Sequence, residues 1–218
     1  LNNLLECVNT YLHEVASLNG ANVFNLRFAA ELAQMNGDTE AARNLIAEAV
    51  ELGARVNELY VNGKGYFNAR FPDTSVREVR HIYDFITVLN TMHDLLPASQ
   101  QNEMADFFAR ELMTPTWAHA LSPDDDDSMF SVRPDHQWNG AYPAWPPQAV
   151  TGLYKIGKVD LAFDWLKGLA KSANQGPYGQ AHFCESVVAP EAGGAIKAPS
   201  DFPYINDWTC SSVGAWCN

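Results

Sequence analysis

The sequence predicts an all-α domain of stacked helical hairpins, and three observations carry that prediction. Apolar residues recur at three- and four-residue steps over long stretches, which is the pattern of one buried helix face. Those stretches are punctuated by Gly, Pro and Asp-Thr signals that stop and start helices, while alternating strand patterns are almost absent. A weak internal repeat points the same way: Leu32–Ala42 (LAQMNGDTEAA) and Leu153–Ala162 (LYKIGKVDLA) each end a helix at Gly and resume with Ala five residues later. Recurring helix-Gly-helix units are the mark of a hairpin array that buries its core by stacking.

Taken in order, residues 2–18 place Leu4, Leu5, Val8, Leu12, Val15 and Leu18 on one face, and Gly20 is expected to end that helix. A second helix is expected over Val23–Met35, stopping at Asn36-Gly37. Asp38-Thr39 then caps a third that runs to about Tyr60. Asn62–Asp73 reads as loop, and Thr74–His93 as a helix carrying Glu78, Arg80, His81 and Asp84. Ser99 can cap the next helix, with Met104, Phe107, Phe108 and Leu112 facing inward. After a long central loop, Trp145–Ile156 and Asp160–Ala173 form another hairpin with Gly157 at the break. From Gln175 the chain is Gly/Pro-rich, and a last apolar helix starts near Trp208. The 218 residues form one domain, 1–218, with long loops gathered at one end.

Composition narrows the partners. The net charge is −12, the pI is near 4.8, and the 14 basic residues are scattered, which argues against nucleic acid and anionic membrane. Arg77, Arg80 and Arg133 could still serve an acidic substrate. No window approaches a membrane span. Cys7, Cys184, Cys210 and Cys217 form no CxxC pair, so no metal site and no cofactor is expected, and disulfides and thiols remain equally open. The acidic pI and aromatic-rich loops fit an extracellular or periplasmic protein.

The chemistry concentrates in Trp117–Trp145, a stretch holding three Trp, two His, five Asp, one Arg and one Tyr. Aromatic faces beside charged groups suit a polyhydroxylated ligand, whose ring faces stack while its hydroxyls take polar partners. Trp117, Trp138 and Trp145 are the platform candidates, with Tyr142 and Tyr178 behind them, and Arg80, Arg133, His136 and His182 as polar contacts. Asp124–Asp127 lacks the alternating spacing of a calcium loop and reads as a solvated charge run. Hydrolysis of a glycosidic bond needs two carboxyl groups on opposite sides of the bond. The carboxylates that could carry a reaction are Asp135, in Arg133-Pro134-Asp135-His136, Glu185 and Glu191 in the second loop, and Glu78 and Asp84 on the preceding helix; Asp135 is paired with Glu185, and Glu78 is a further candidate acid. Three loop histidines, His119, His136 and His182, leave a lyase or epimerase open, with Tyr142 or His as base. A non-catalytic carbohydrate-binding or structural array is a third reading.

The run RPDHQWNGAYPAWPP, the hairpin that follows with Ala162 and Trp165, and NQGPYGQAHFCE together resemble the second half of six-hairpin glycosidases. That resemblance implies an (α/α)6 toroid, wholly or in part, an oligo- or polysaccharide in a crater at one rim, and an inverting acid/base pair. It implies too that about eight legible helices are completed to twelve by N-terminal hairpins in the remainder of a larger chain, or by another subunit.

Overall fold

The computed structural model describes residues 11–115, 117–129, 138 and 145–173, together with two short strands at 186–189 and 194–196. Among the described residues six helices dominate: α1 (Ala16–Met35), α2 (Thr39–Asn57), α3 (Ile82–Met92), α4 (Ala98–Phe107), α5 (Trp145–Lys155) and α6 (Val159–Ala173). They pair as hairpins α1–α2, α3–α4 and α5–α6, so the helical-hairpin class read from the sequence is the observed one. Among the described residues no helix is long and apolar enough to cross a membrane.

The repeat seen in the sequence is the same turn built twice. After α1, Asp38 N–H reaches back to Ala33 O and Gly37 N–H to Gln34 O; after α5, Lys158 N–H reaches Leu153 O and Gly157 N–H reaches Tyr154 O. Both glycines sit at positive φ, +82° and +75°, where a side chain is strained. The alanine five residues later is buried in each case, Ala42 and Ala162, because it is the first inward position of the returning helix.

The first helices of the three hairpins run parallel in one row. Ser17 N–H at the start of α1 donates to Asp84 at the start of α3, and Arg27 farther along α1 pairs with Asp94 beyond the end of α3. On the other side, the ring of Trp145 at the start of α5 meets Tyr83, while Gly152 lies against Leu89 and Asn90. α3 is therefore the central helix, and Gly20 of α1 and Gly152 of α5 let both neighbours approach it closely. Phe85 of α3 stacks on Phe108, whose ring is met edge-on by Trp165 of α6, and this closes the core over the second helices.

This row corrects the first element boundary. α1 runs unbroken through Gly20, because that glycine serves close packing on Thr91, Val88 and Met92 rather than a helix stop. The expected helix over Thr74–His93 is likewise two elements. Strand β1 (Phe67–Arg70) pairs antiparallel with β2 (Val76–Val79), in the register Phe67↔Val79 to Arg70↔Val76, and α3 begins only at Ile82. Val76 and Val79 are spaced as a helix face would be, but pairing to β1 overrides that short pattern. Glu78 thus lies on a strand and Asp84 in the first turn of a helix, not together on one helix. Ser99 does not cap α4, which starts at Ala98 after Pro97; Met104, Phe107, Phe108 and Leu112 do face inward, the last two in a π turn at Phe108–Leu112. A second antiparallel pair, β3 (Ser186–Ala189) and β4 (Gly194–Ile196), lies in the stretch read as loop. The residues 2–10 and the helix expected near Trp208 lie outside the described residues.

Candidate functional site at the rim of the helical row

The loops separate by length. Turns of a few residues join the helices within each pair, whereas 58–81 and 113–144 join one pair to the next. Since α1, α3 and α5 run parallel, the described parts of both long connections meet at their N-terminal ends. That rim holds the β1–β2 hairpin, the described part of the loop from 113 to 129, Trp138 and the segment before α1.

Arg80 is the hub of the rim. It leaves β2 beside Glu78, and its Nε and Nη2 donate to Glu111 at 2.9 Å each, a two-point guanidinium–carboxylate fork. Its Cζ lies 5.2 Å from the ring centre of Tyr66, and Nη1 donates to Asp124 O at 3.3 Å. Tyr66 in turn donates to Glu78 Oε2 at 2.8 Å, and burial, with that carboxylate, pushes the phenol up to about 12. Burial works against the Glu111 charge, yet the Arg80 and Arg110 guanidiniums outweigh it and hold its carboxyl below the ordinary range.

Beside this hub lies a recess of about 310 Å³ lined by Arg110, Glu111, Met113, His119, Ser122 and Asp124. Its volume is at the small end of ligand sites, the size of one sugar ring rather than a long chain. The guanidiniums are matched by Glu111 and Asp124, so the lining offers donors and acceptors without a strong net charge. His119 meets Trp138 edge-on, ring centres 4.7 Å apart, and burial lowers its imidazole to about 4. It is therefore neutral near pH 7 and can bond a hydroxyl in either tautomer. A histidine held neutral by folding binds fewer protons folded than unfolded between about 4 and 6.5. Its contribution is present above 6.5 and is lost as pH falls towards 4, by up to about 3 kcal/mol. His119→Gln is expected to remove that part of the acid sensitivity in urea unfolding followed at pH 7 and pH 4.5.

Beneath the hub is a buried layer. Asp125 Oδ2 accepts from Arg80 N–H at 2.7 Å and Oδ1 from Asp127 N–H at 2.8 Å, and His81 Nε2 lies 3.3 Å from Asp125 Oδ2. Burial opposes the Asp125 charge, but His81 and the two backbone donors hold its carboxyl below the usual range. The four-aspartate run is therefore only half solvated: Asp124 and Asp126 face water, whereas Asp125 and Asp127 are buried. Among the described residues no group of three His, Cys, Asp or Glu is placed to hold a metal ion.

Of the residues singled out from the sequence, Glu78 and Arg80 come together at the hub and Trp138 sits half-buried against the recess histidine. Trp117 is 0% and Trp145 6% exposed, so both indoles serve the core instead of presenting platforms. Their size makes burial the stronger use of the side chain. Asp135, Arg133, His136, Tyr142, Tyr178, His182, Glu185 and Glu191 lie outside the described residues. Glu111, Tyr66 and Asp125 were missed. Nothing local in the sequence shows that the π turn aims Glu111 at Arg80.

A family model described as "Mannosylglycerate hydrolase MGH1-like glycoside hydrolase domain" matches residues 9–202. Among solved structures, a protein titled "Sialidase" superposes with a TM-score of 0.68 at 15% identity, covering 85% of this chain and 18% of its own. The GH63 mannosylglycerate hydrolase from Thermus thermophilus in complex with glucose superposes with a TM-score of 0.63 at 13% identity, over 93% of this chain and 46% of its own. An uncharacterized conserved protein from the same organism gives 0.64 and 12%, over 93% and 47%. The chain thus spans less than half the length of each of these structures, and at such identities they speak for the fold. No curated protein matches the sequence.

Proposed function

Because this chain belongs to the mannosylglycerate hydrolase MGH1-like glycoside hydrolase family, we propose that its rim hydrolyses glycosidic bonds with a pair of carboxyl groups. The observation that carries the reading is the polar recess at the N-terminal ends of the three parallel helices, beside the Arg80–Glu111 fork. It is sized for one sugar ring, and its neutral histidine and paired charges suit hydroxyls better than an ion.

In this reading Glu185 is the base that activates water, and Asp135 or Glu78 is the acid that protonates the leaving oxygen. Glu78 is exposed at the hub, with one oxygen already accepting from Tyr66, which leaves the other free to face a ligand. Arg133, His136 and Trp138 would position the sugar. Arg80 acts mainly on the protein: its fork is spent on Glu111, so its part is to fix the recess wall. The name of the Thermus relative makes mannosylglycerate the first substrate to try, followed by neutral and acidic oligo- and polysaccharides.

The test is to incubate the chain with that panel and follow released reducing ends and unsaturated-uronate absorbance together. Reducing ends without the absorbance are expected. Glu185→Gln and Asp135→Asn should each lower turnover by about 10²–10⁴-fold, as loss of a general acid or base does. Unchanged turnover in both variants would sink the carboxylate pair, and absorbance from uronates would move the chemistry to a lyase using His136, His182 or Tyr142.

A further inference from the structure

Below the recess, Asp84 occupies a position that the proposed chemistry does not use. It stands in the first turn of α3, 2% exposed, and it is hydrogen-bonded from two other parts of the chain. From the segment before α1, Tyr11 O–H donates to its Oδ1. From the first turn of α1, Ser17 N–H donates to the same oxygen at 2.8 Å, and the Ser17 hydroxyl is itself bonded to Tyr11. Oδ2 has no hydrogen-bond partner among the described residues. Among the described residues, the charged or ionisable groups facing Asp84 are Tyr11, His81 next to the start of its own helix, and Asp125 from the 113–129 loop. No described lysine or arginine is among them, since the Arg80 guanidinium points away to Glu111.

We propose that Asp84 is a proton-operated catch for the rim. With its proton on, it joins the 11–17 segment, α1 and α3 as one unit; when the proton leaves to water, the buried carboxylate weakens that junction. The geometry gives the reason. An ionised carboxylate out of water needs several donors spread over both oxygens, and here two donors crowd one oxygen while the other has none among the described residues.

The Tyr11 ring lies 5.0 Å from that of His81, which stands against Asp125, so the junction continues into the loop that walls the recess. Burial, the largest effect, moves the Asp84 carboxyl up to about 6 from an ordinary 3.8, although Tyr11, His81 and Ser17 pull the other way and Asp125 adds to the rise. Folding therefore takes up a proton at Asp84 between about 3.8 and 6. The stabilisation it brings is present below the unfolded value and is lost as pH rises through about 6. Whole-protein melting is a poor readout, because His119 acts in the opposite direction over the same range.

The experiment is local amide hydrogen exchange on the intact chain from pH 4.5 to 7.5, corrected for the intrinsic rates. Protection of residues 11–20 and 120–129 should fall as pH rises through about 6, by at most roughly a hundredfold, the ratio that the shift allows. Asp84→Asn, a neutral isostere, should hold the acid-form protection at both ends of the range. Tyr11→Phe removes a donor to the carboxylate and should move the transition to higher pH, which keeps the idea testable even if Asp84→Asn folds poorly. Flat protection in the wild type, an Asp84→Asn profile that follows the wild type, or a Tyr11→Phe transition at lower pH would overturn the catch.

Discussion

Gly65→Ala should destabilise the chain severely, with urea and thermal unfolding midpoints falling far below those of the wild type. Gly65 has φ +82°, and a Cβ there would lie 2.1 Å from Glu103 O, 2.6 Å from Glu103 C and 2.8 Å from Phe107 Cβ. Two of those contacts are with helical backbone of α4, which cannot swing aside as a side-chain tip could. The loop must move, and with it Tyr66, whose ring packs on Phe107 and carries both the Glu78 bond and the Arg80 contact. A clash of this kind belongs with the rare losses of about 4 kcal/mol or more, a large share of a typical domain's stability. Gly63→Ala is the control. Gly63 also has positive φ, +76°, but nothing lies within 4 Å of the added carbon. Only backbone strain of about 1–2 kcal/mol is expected there. Equal losses in the two variants would show that strain, not contact with α4, makes Gly65 necessary.

Asp125→Ala is expected to cost about 3–5 kcal/mol in urea unfolding and to loosen the wall of the recess. The carboxylate accepts from two backbone N–H groups and stands against a fully buried imidazole. Removing it takes the acceptor from both N–H groups and the neighbouring carboxylate from the imidazole, away from water. Asp125→Asn keeps one oxygen for a backbone donor and should cost about half as much. Because Arg80 N–H is one of the donors, loss of Asp125 also frees the junction that aims Arg80 at Glu111. Substrate affinity should then suffer in Asp125→Asn even where that variant stays folded. A stability loss in Asp125→Ala below about 1 kcal/mol would show that water replaces the carboxylate and that the layer is not closed.

Much of the fold was legible because helix periodicity and end signals are local. The N-cap at Asp38, the glycine stops at Gly37 and Gly157, and the inward faces of α4 and α5–α6 each follow from a few neighbouring residues. Reading failed where a distant partner decided the outcome. Gly20 reads as a stop until α3 lies against it, and Val76–Val79 read as helix until β1 is there to pair with. The candidate site divides along the same line. Glu78 and Arg80 could be picked out as charged residues on the helix expected before the central loop and Trp138 as an aromatic within that loop, whereas Trp117 and Trp145 looked the same by composition and turned out to be packing. Glu111 carried no local mark, and Asp125 was one of four like aspartates that read as solvated.

By itself, then, the sequence determined that the chain folds as helical hairpins with polar, aromatic loops between them, since backbone propensity, capping and apolar spacing act over a turn or two. Which way each loop residue points, whether a tryptophan meets ligand or core, and which carboxylate holds Arg80 were decided only by tertiary structure. Those choices depend on what α1 and α5 bring against α3, and on which buried charge finds donors within hydrogen-bonding reach once the helices have packed.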